Sequence, residues 1–327
     1  RRLPLGVVAG IAPFNFPLLL ALKKVAFALA AGNTFVLKPA SATPVSGVMI
    51  AKALDAAGLP KGVFNLVPGS GEAVGKMLVE DERIRMVAFT GSTAVGKGIA
   101  AKASQRLKKY TLEMGGKNPL ILLKDFDVEQ AVKIAGFGAF FHQGQICMCT
   151  SRMIVEEPVY DQFCEKFTAY AKTMKVGDPH QQDTIIGPLI KQEQCQIIDS
   201  QIKDAVSKGA VLLTGGTHEG NYFQPTVLSN VTPDMRIFYE ESFGPVTSII
   251  KAKDERDAVR LCNDNEYGLS SSLLTNDLSK AMALSLDMEA GMVHINNATV
   301  SDNSTVAFGG VKNSGVGREG GSYSIDE

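Results

Sequence analysis

The chemistry of this chain gathers around Cys147, in the run Phe140-Phe141-His142-Gln143-Gly144-Gln145-Ile146-Cys147-Met148-Cys149-Thr150. The spacing puts that cysteine just past the end of a helix, in a turn that carries a glycine. A thiol there lies near backbone N–H groups and is open to a small molecule, which suits a nucleophile. In a chain that is 45% hydrophobic, a cysteine also serves as a small buried hydrophobe. Its company decides between the two.

Other reactive types stand at turns. In Pro13-Phe14-Asn15-Phe16-Pro17, the amide of Asn15 either donates to an oxygen that is gaining charge or caps the helix that follows. In Leu112-Glu113-Met114-Gly115-Gly116-Lys117, a carboxylate sits beside paired glycines. In a dry pocket Glu113 is a general base with a raised pKa; on the surface it is a turn residue. Phe89-Thr90-Gly91-Ser92-Thr93-Ala94-Val95-Gly96 opens a helix with a glycine turn, either a phosphate cradle or an ordinary cap. Leu37-Lys38-Pro39-Ala40-Ser41 ends an apolar strand on a cation. Glu240-Glu241-Ser242-Phe243-Gly244-Pro245 and the glycine-rich stretch from Phe308 to Glu319 pass for loops when read alone.

The elements that must hold these groups alternate in type. Strands are expected at Leu5–Ile11, Thr34–Leu37, Gly62–Val67 and Met86–Thr90. Helices are expected at Pro17–Ala31, Pro44–Ala57, Glu72–Glu80 and Thr93–Leu107. Strand–helix units of this length imply an α/β fold with a doubly wound parallel sheet, whose ligands lie at the carboxyl ends of the strands. Further on, strands near Pro119–Leu123 and Met153–Val155 and helices near Val128–Phe141, Tyr160–Met174 and Gln194–Lys208 continue the α/β pattern. At 327 residues, two lobes are the default.

Composition narrows the class. Lys and Arg number 33 against 34 Asp and Glu, intermixed, for a net charge of −1, so no nucleic-acid or anionic-membrane partner is called for. The five cysteines are odd in number and lack paired zinc-ligand spacing, which favours free thiols in a reducing cytoplasm and no metal. The longest apolar stretch, Pro17 to Ala31, is broken by Lys23 and Lys24 and is too short to span a bilayer.

Taken in order, six motifs resemble those of the NAD(P)-dependent aldehyde dehydrogenase superfamily. They are the Pro-Phe-Asn-Phe-Pro turn, Leu-Lys-Pro, Phe-Thr-Gly-Ser-Thr-x-x-Gly, Leu-Glu-Met-Gly-Gly-Lys, Gly-Gln-x-Cys and Glu-Glu-x-Phe-Gly-Pro. The resemblance implies that Cys147 adds to a small-molecule aldehyde to form a thiohemiacetal, with Asn15 and the Cys147 N–H holding the oxyanion. A hydride then leaves to NADP or NAD, and Glu113 activates the water that cleaves the thioester. It also implies a cofactor site at Ile11, Pro13, Phe14, Lys38, Ser41, Gly91, Ser92, Gly96, Gly115, Glu241 and Phe243. Ser41, where many NAD-preferring members carry glutamate, favours NADP competence.

The same resemblance gives boundaries: a cofactor-binding domain at 1–115, a catalytic domain at 116–315, and a return segment at 316–327. Members are longer than this chain, so a preceding segment and a following strand are expected in the complete protein. They form homodimers or homotetramers, and Arg1-Arg2-Leu3 reads as the remnant of one joining strand. Phe14, Phe16, Leu19, Leu20, Phe141, Ile146 and Phe308 form an apolar substrate lining, similar to dehydrogenases of benzaldehyde-like substrates, for an aromatic or medium aliphatic aldehyde. The alternatives are a semialdehyde dehydrogenase in which Lys23 pairs a substrate carboxylate, release of the acyl group to coenzyme A, which Glu113 argues against, and a shortened non-catalytic homologue. Cys149 either packs or captures an oxidised Cys147.

Overall fold

Short apolar runs without polar alternation form strands buried on both faces, and these build the sheets. The computed structural model describes residues 3–326, in two compact units: residues 3–115 with 302–326, and residues 116–301. Arg1 and Arg2 of the expected joining strand lie outside the described residues; Leu3 is exposed and not in a strand.

The first unit runs β1 (Val7–Ile11), α1 (Leu19–Ala30), β2 (Thr34–Lys38), α2 (Val45–Ala56), β3 (Phe64–Leu66), α3 (Lys76–Glu80), β4 (Ile84–Thr90), α4 (Thr93–Ser104) and β5 (Lys109–Glu113). These strands lie in the order β3-β2-β1-β4-β5, all parallel. The short strand Gly315–Val316 closes the edge, antiparallel to β5. Phe35, Leu37 and Val25 pack on one face and Val87, Phe89, Ile99 and Leu112 on the other. Each such side chain contributes about 1.5–3 kcal/mol by leaving water.

The second unit continues with β6 (Asn118–Leu122), α5 (Val128–Phe140), β7 (Thr150–Glu156), α6 (Glu157–Lys172), α7 (Gln192–Ser207) and β8 (Val211–Thr214). Its seven strands run Met292–Ile295, Ser270–Leu274, β6, β7, Val246–Ala252, Thr226–Ser229, β8, parallel except for β8. Period-two alternation splits β6 between two cores. Leu120 and Leu122 meet Phe163 and Phe167, while Ile121 meets Ile198 and Phe238.

Several boundaries move from the sequence expectation. Regular helix α1 starts at Leu19 rather than Pro17, although the Leu20 N–H already donates to the Phe16 carbonyl at 2.9 Å, so Pro17 and Leu18 form the turn that leads into it. The helix expected at Glu72–Glu80 opens as a π turn, Gly71–Gly75, between two glycines that favour no regular helix, with Ser70 Oγ accepting from the Ala73 N–H at 3.0 Å. Helix α4 stops at Ser104; Leu107 sits beyond it at φ +52°, exposed. The segment returning to the first unit begins at Asp302, ahead of the boundary expected at 315, because Ser314 to Val316 bonds along β5. No helix among the described residues is long and apolar enough to cross a membrane.

Candidate functional site

In the second unit, α5 is capped by Asp127, whose Oδ1 accepts from the Gln130 N–H at 2.7 Å. The helix breaks after Phe140, where His142 and Gln143 take positive φ values of 52° and 58°. Strain of this kind costs about 1–3 kcal/mol per residue and gathers at functional loops. The chain then turns tightly, the Cys149 N–H donating to the Ile146 carbonyl at 2.9 Å, with Cys147 half-buried at the bend.

Cys149 is a different kind of thiol. It is buried, donates from Sγ to the Ala139 carbonyl at 3.3 Å, and has its pKa pushed up to about 12 by burial. It stays protonated at neutral pH and belongs to the core. Ile146 is buried as well, whereas Phe141 is exposed and stacks on Phe137 with centroids 5.0 Å apart. Phe137 was not singled out in the sequence; its i, i+4 spacing from Phe141 is the signal that would have found it.

The entry to β6 ties this loop to a second one. The Gly116 N–H donates to Glu241 Oε1 at 3.1 Å, and Lys117 Nζ donates to Ser242 Oγ at 3.2 Å. Burial pushes Glu241 up to about 7 and Lys117 down to about 7, the latter aided by Arg152. Phe243 is held at φ +47°. The Glu241 carboxyl and the Phe243 ring therefore sit on a loop fixed from beneath.

In the first unit, Asn15 is buried in the turn after β1 and is not the cap of α1, whose cap position is Leu18 with no side-chain bond. Pro13, Phe14 and Phe16 are half-buried around it, and Leu19 is exposed. Glu113 ends β5 and is 2% exposed, so it is no surface carboxylate. Neither of its oxygens meets a hydrogen-bond donor among the described residues. Burial, and then the charge of Glu319, hold its pKa well above the usual carboxylate range; Lys24, Arg318 and Lys23 pull it back in part. Gly115 lies beside it, its carbonyl accepting from Ser314 Oγ at 2.7 Å.

Lys24 and Glu319 form a buried ion pair whose charges act on this carboxyl, and sequence reasoning missed both. Lys23 turns elsewhere: its Nζ donates to Asp302 Oδ2 at 2.5 Å and lies 4.4 Å from the centre of the Phe308 ring. Phe308 is itself buried, bonded through its backbone to Glu319.

A cavity of about 240 Å³ opens between α3 and α4, walled by Ile11, Val79, Phe89, Val95 and Ile99. A Cβ on Gly98 or on Gly71, both in its lining, would meet no atom within 4 Å. Ser92 holds the cap position of α4 without a side-chain bond, leaving the helix start available to an anionic oxygen. Lys38 is buried, its Nζ donates to the Pro39 carbonyl at 3.0 Å, and burial lowers its pKa. Ser41 Oγ donates to the Gly69 carbonyl at 3.0 Å. Gly91 and Gly96 are packing glycines: a Cβ would strike the Phe89 ring at 2.5 Å and Met114 Sδ at 2.3 Å. An apolar slot for a flat base, a free helix start and nearby lysines fit a dinucleotide. Val79, Val95, Gly98 and Ile99 read in sequence as ordinary helix faces.

Comparison with known proteins places the chain in a family. The profile described as the aldehyde dehydrogenase family matches residues 1–327. A benzaldehyde dehydrogenase of Bacillus subtilis is 44% identical over 327 residues, covering 100% of this chain and 67% of that protein. The crystal structure of a salicylaldehyde dehydrogenase from Pseudomonas putida, complexed with salicylaldehyde, matches at 42% identity with a TM-score of 0.96, over 99% of this chain and 68% of that one. A glyceraldehyde-3-phosphate dehydrogenase from Methanocaldococcus jannaschii, complexed with NADP, matches at 40% identity and TM-score 0.96, over 100% of this chain and 72% of that one.

Proposed function

The chain belongs to the aldehyde dehydrogenase family, and from that premise we propose that it oxidises an aromatic aldehyde to the carboxylic acid through a covalent intermediate on Cys147. NADP or NAD, held by the slot between α3 and α4, accepts the hydride when bound. Cys147 adds to the carbonyl carbon; the amide of Asn15 and the Cys147 N–H stabilise the oxyanion of the thiohemiacetal. Loss of hydride leaves a thioester, which a water deprotonated by Glu113 cleaves.

The observation that carries this reading is Glu113 itself. A buried carboxylate with no protein donor on either oxygen among the described residues, held above its usual range, is suited to take a proton rather than to anchor the fold. The charges of Lys24 and Glu319, themselves ion-paired, act on this carboxyl. Replacing Glu113 by Gln is expected to leave a burst of reduced cofactor followed by a slow phase, and Asn15→Ala to cost roughly a hundred- to a thousandfold in turnover. Product that forms only when coenzyme A is added would overturn hydrolysis.

Aromatic specificity is supported by the benzaldehyde and salicylaldehyde dehydrogenases it resembles. The semialdehyde reading needs a free cation at Lys23, whose ammonium is already engaged by Asp302 and the Phe308 face. The proposal extends to a homodimer or homotetramer for the complete protein, which light scattering reads directly, and to the cytoplasm, where free thiols persist. An aldehyde panel with NAD and NADP tests the whole.

A further inference from the structure

We infer that Asn118, at the start of β6, is a positioning residue that sets the conformation of the nucleophile's turn. This rests on the reading of Cys147 as the nucleophile. The Asn118 side chain is buried at 2% exposure, and all its hydrogen-bonding groups are used. Its Nδ2 donates to the Cys147 carbonyl at 2.7 Å and to the Cys149 carbonyl at 3.0 Å, while its Oδ1 accepts from the Ser270 N–H at 3.1 Å.

The carbonyls around these two are held as well. That of Ile146 accepts from the Cys149 N–H, and that of Met148 from Thr299 Oγ1 at 2.7 Å. Four successive carbonyls, from Ile146 to Cys149, thus have fixed partners, and a single carboxamide supplies two. Gly116 completes the fit from the other side: a Cβ there would stand 2.6 Å from the Cys147 carbonyl oxygen and 2.7 Å from Asn118 Oδ1.

The physical consequence lies in the peptide plane. A trans peptide sets its N–H opposite its carbonyl, so anchoring the Cys147 carbonyl fixes the plane of the Cys147–Met148 peptide. That plane sets ψ of Cys147, and with it the direction in which Cβ and Sγ leave the turn. Without the clamp the peptide is free to flip, and the thiol samples positions from which it attacks poorly. Small displacements of a reacting group are costly, about a hundredfold for an ångström.

The test is Asn118→Asp in the complete protein. The change keeps the shape and the acceptor toward Ser270 but removes both donors. Iodoacetamide is the probe of Cys147, its site of labelling read by mass spectrometry, beside kcat, cofactor KM and thermal melting. The expected result is labelling of Cys147 slowed by about tenfold or more at mild alkaline pH, with kcat lowered to match and cofactor KM within about twofold. The ratio of variant to wild-type labelling should recover as pH falls, because a protonated carboxyl regains one donor. A role in stability alone would lower the melting temperature without that recovery.

Gly116→Ala perturbs the same carbonyl independently and should slow labelling with no such pH recovery; it carries the test if Asn118→Asp does not fold. Labelling and turnover within twofold of wild type in the folded variants would overturn the clamp. Wild-type labelling at a cysteine other than Cys147 would instead overturn the nucleophile on which it rests.

Discussion

A Cβ placed on Gly309 would stand 3.0 Å from Oε1 of Glu113. The room for this carboxyl, the proposed general base, is thus set by a glycine far along the chain, in the loop that brings Arg318 and Glu319 into the first unit. The same Cβ would press within 2.7 Å of Arg318 Cδ and 2.8 Å of the Gly317 carbonyl oxygen, and the latter is backbone that cannot swing away. Gly309→Ala should displace the carboxyl by a fraction of an ångström and slow steady-state turnover by about ten- to a hundredfold. The pre-steady-state burst of reduced cofactor should persist, since it precedes water attack. Rapid-mixing absorbance separates the phases; loss of the burst together with the steady rate would place the defect elsewhere.

The raised pKa of Glu113 has a stability signature. Its folded pKa lies above the ordinary value of 4.5, so the folded state holds this proton more tightly than the unfolded chain does. Its contribution to stability is fully present below the ordinary value and is lost as pH rises through the raised one. Glu113→Gln lacks that loss and should melt above wild type at about pH 8, with the gap closing toward about pH 4. Each unit of displacement corresponds to about 1.4 kcal/mol. Melting curves across that range would count against a raised pKa for this buried carboxyl if the difference did not change with pH.

In the proposed cofactor site Ser41 would put a hydroxyl where a glutamate would repel a ribose phosphate. Its Oγ donates to the Gly69 carbonyl at 3.0 Å, a bond it would exchange to donate to a phosphate oxygen. Ser41→Glu should lower kcat/KM with NADP by about ten- to a hundredfold, the scale of repulsion between two nearby negative charges, and change the NAD value far less. Parallel titrations of both cofactors decide it; equal losses would remove Ser41 from cofactor selection.

Lys23 is engaged with Asp302 on the face of Phe308, and its removal should not redirect the enzyme to charged substrates. In Lys23→Ala, the preference for benzaldehyde over succinate semialdehyde should persist. The variant should lose about 1–3 kcal/mol of stability, because Asp302 keeps a partly buried charge without its partner. Competitive turnover of the two aldehydes reads the preference, and a wild type that favours the semialdehyde until Lys23 is removed would reverse the assignment.

Cys147, Asn15 and Glu113 stand out in the sequence because each interrupts an apolar element at a turn, where a reactive side chain has few packing reasons to be. Lys24 and Glu319 do not. They are 295 residues apart and meet only through the fold, and a lysine midway along an amphipathic helix reads as solvated. Asn118 is equally silent, since an Asn before an apolar run looks like a strand's beginning; only the fold brings the Cys147 turn over it. The strands of the first unit are legible as apolar runs separated by glycine. Those between Val211 and Ile295 are short, and the serine-rich strand Ser270–Leu274 hides a fully buried element behind hydroxyls that bond to backbone, such as Ser270 to Thr299 and Ser272 to Asn297.

The antiparallel strand Gly315–Val316 on β5 also has a meaning for synthesis. The bond from Ser314 to Gly115 joins residues 199 positions apart, so the outer edge of β5 has no partner until the far end of this sequence has been made. At translation rates of about 5–20 residues per second, that interval is roughly 10–40 s. For that time the nascent chain carries an open strand edge, the template on which neighbouring chains pair wrongly. A ribosome stalled before residue 315 would display a first unit whose β5 edge is still open, and chaperone occupancy of that nascent unit should end as Gly315 emerges.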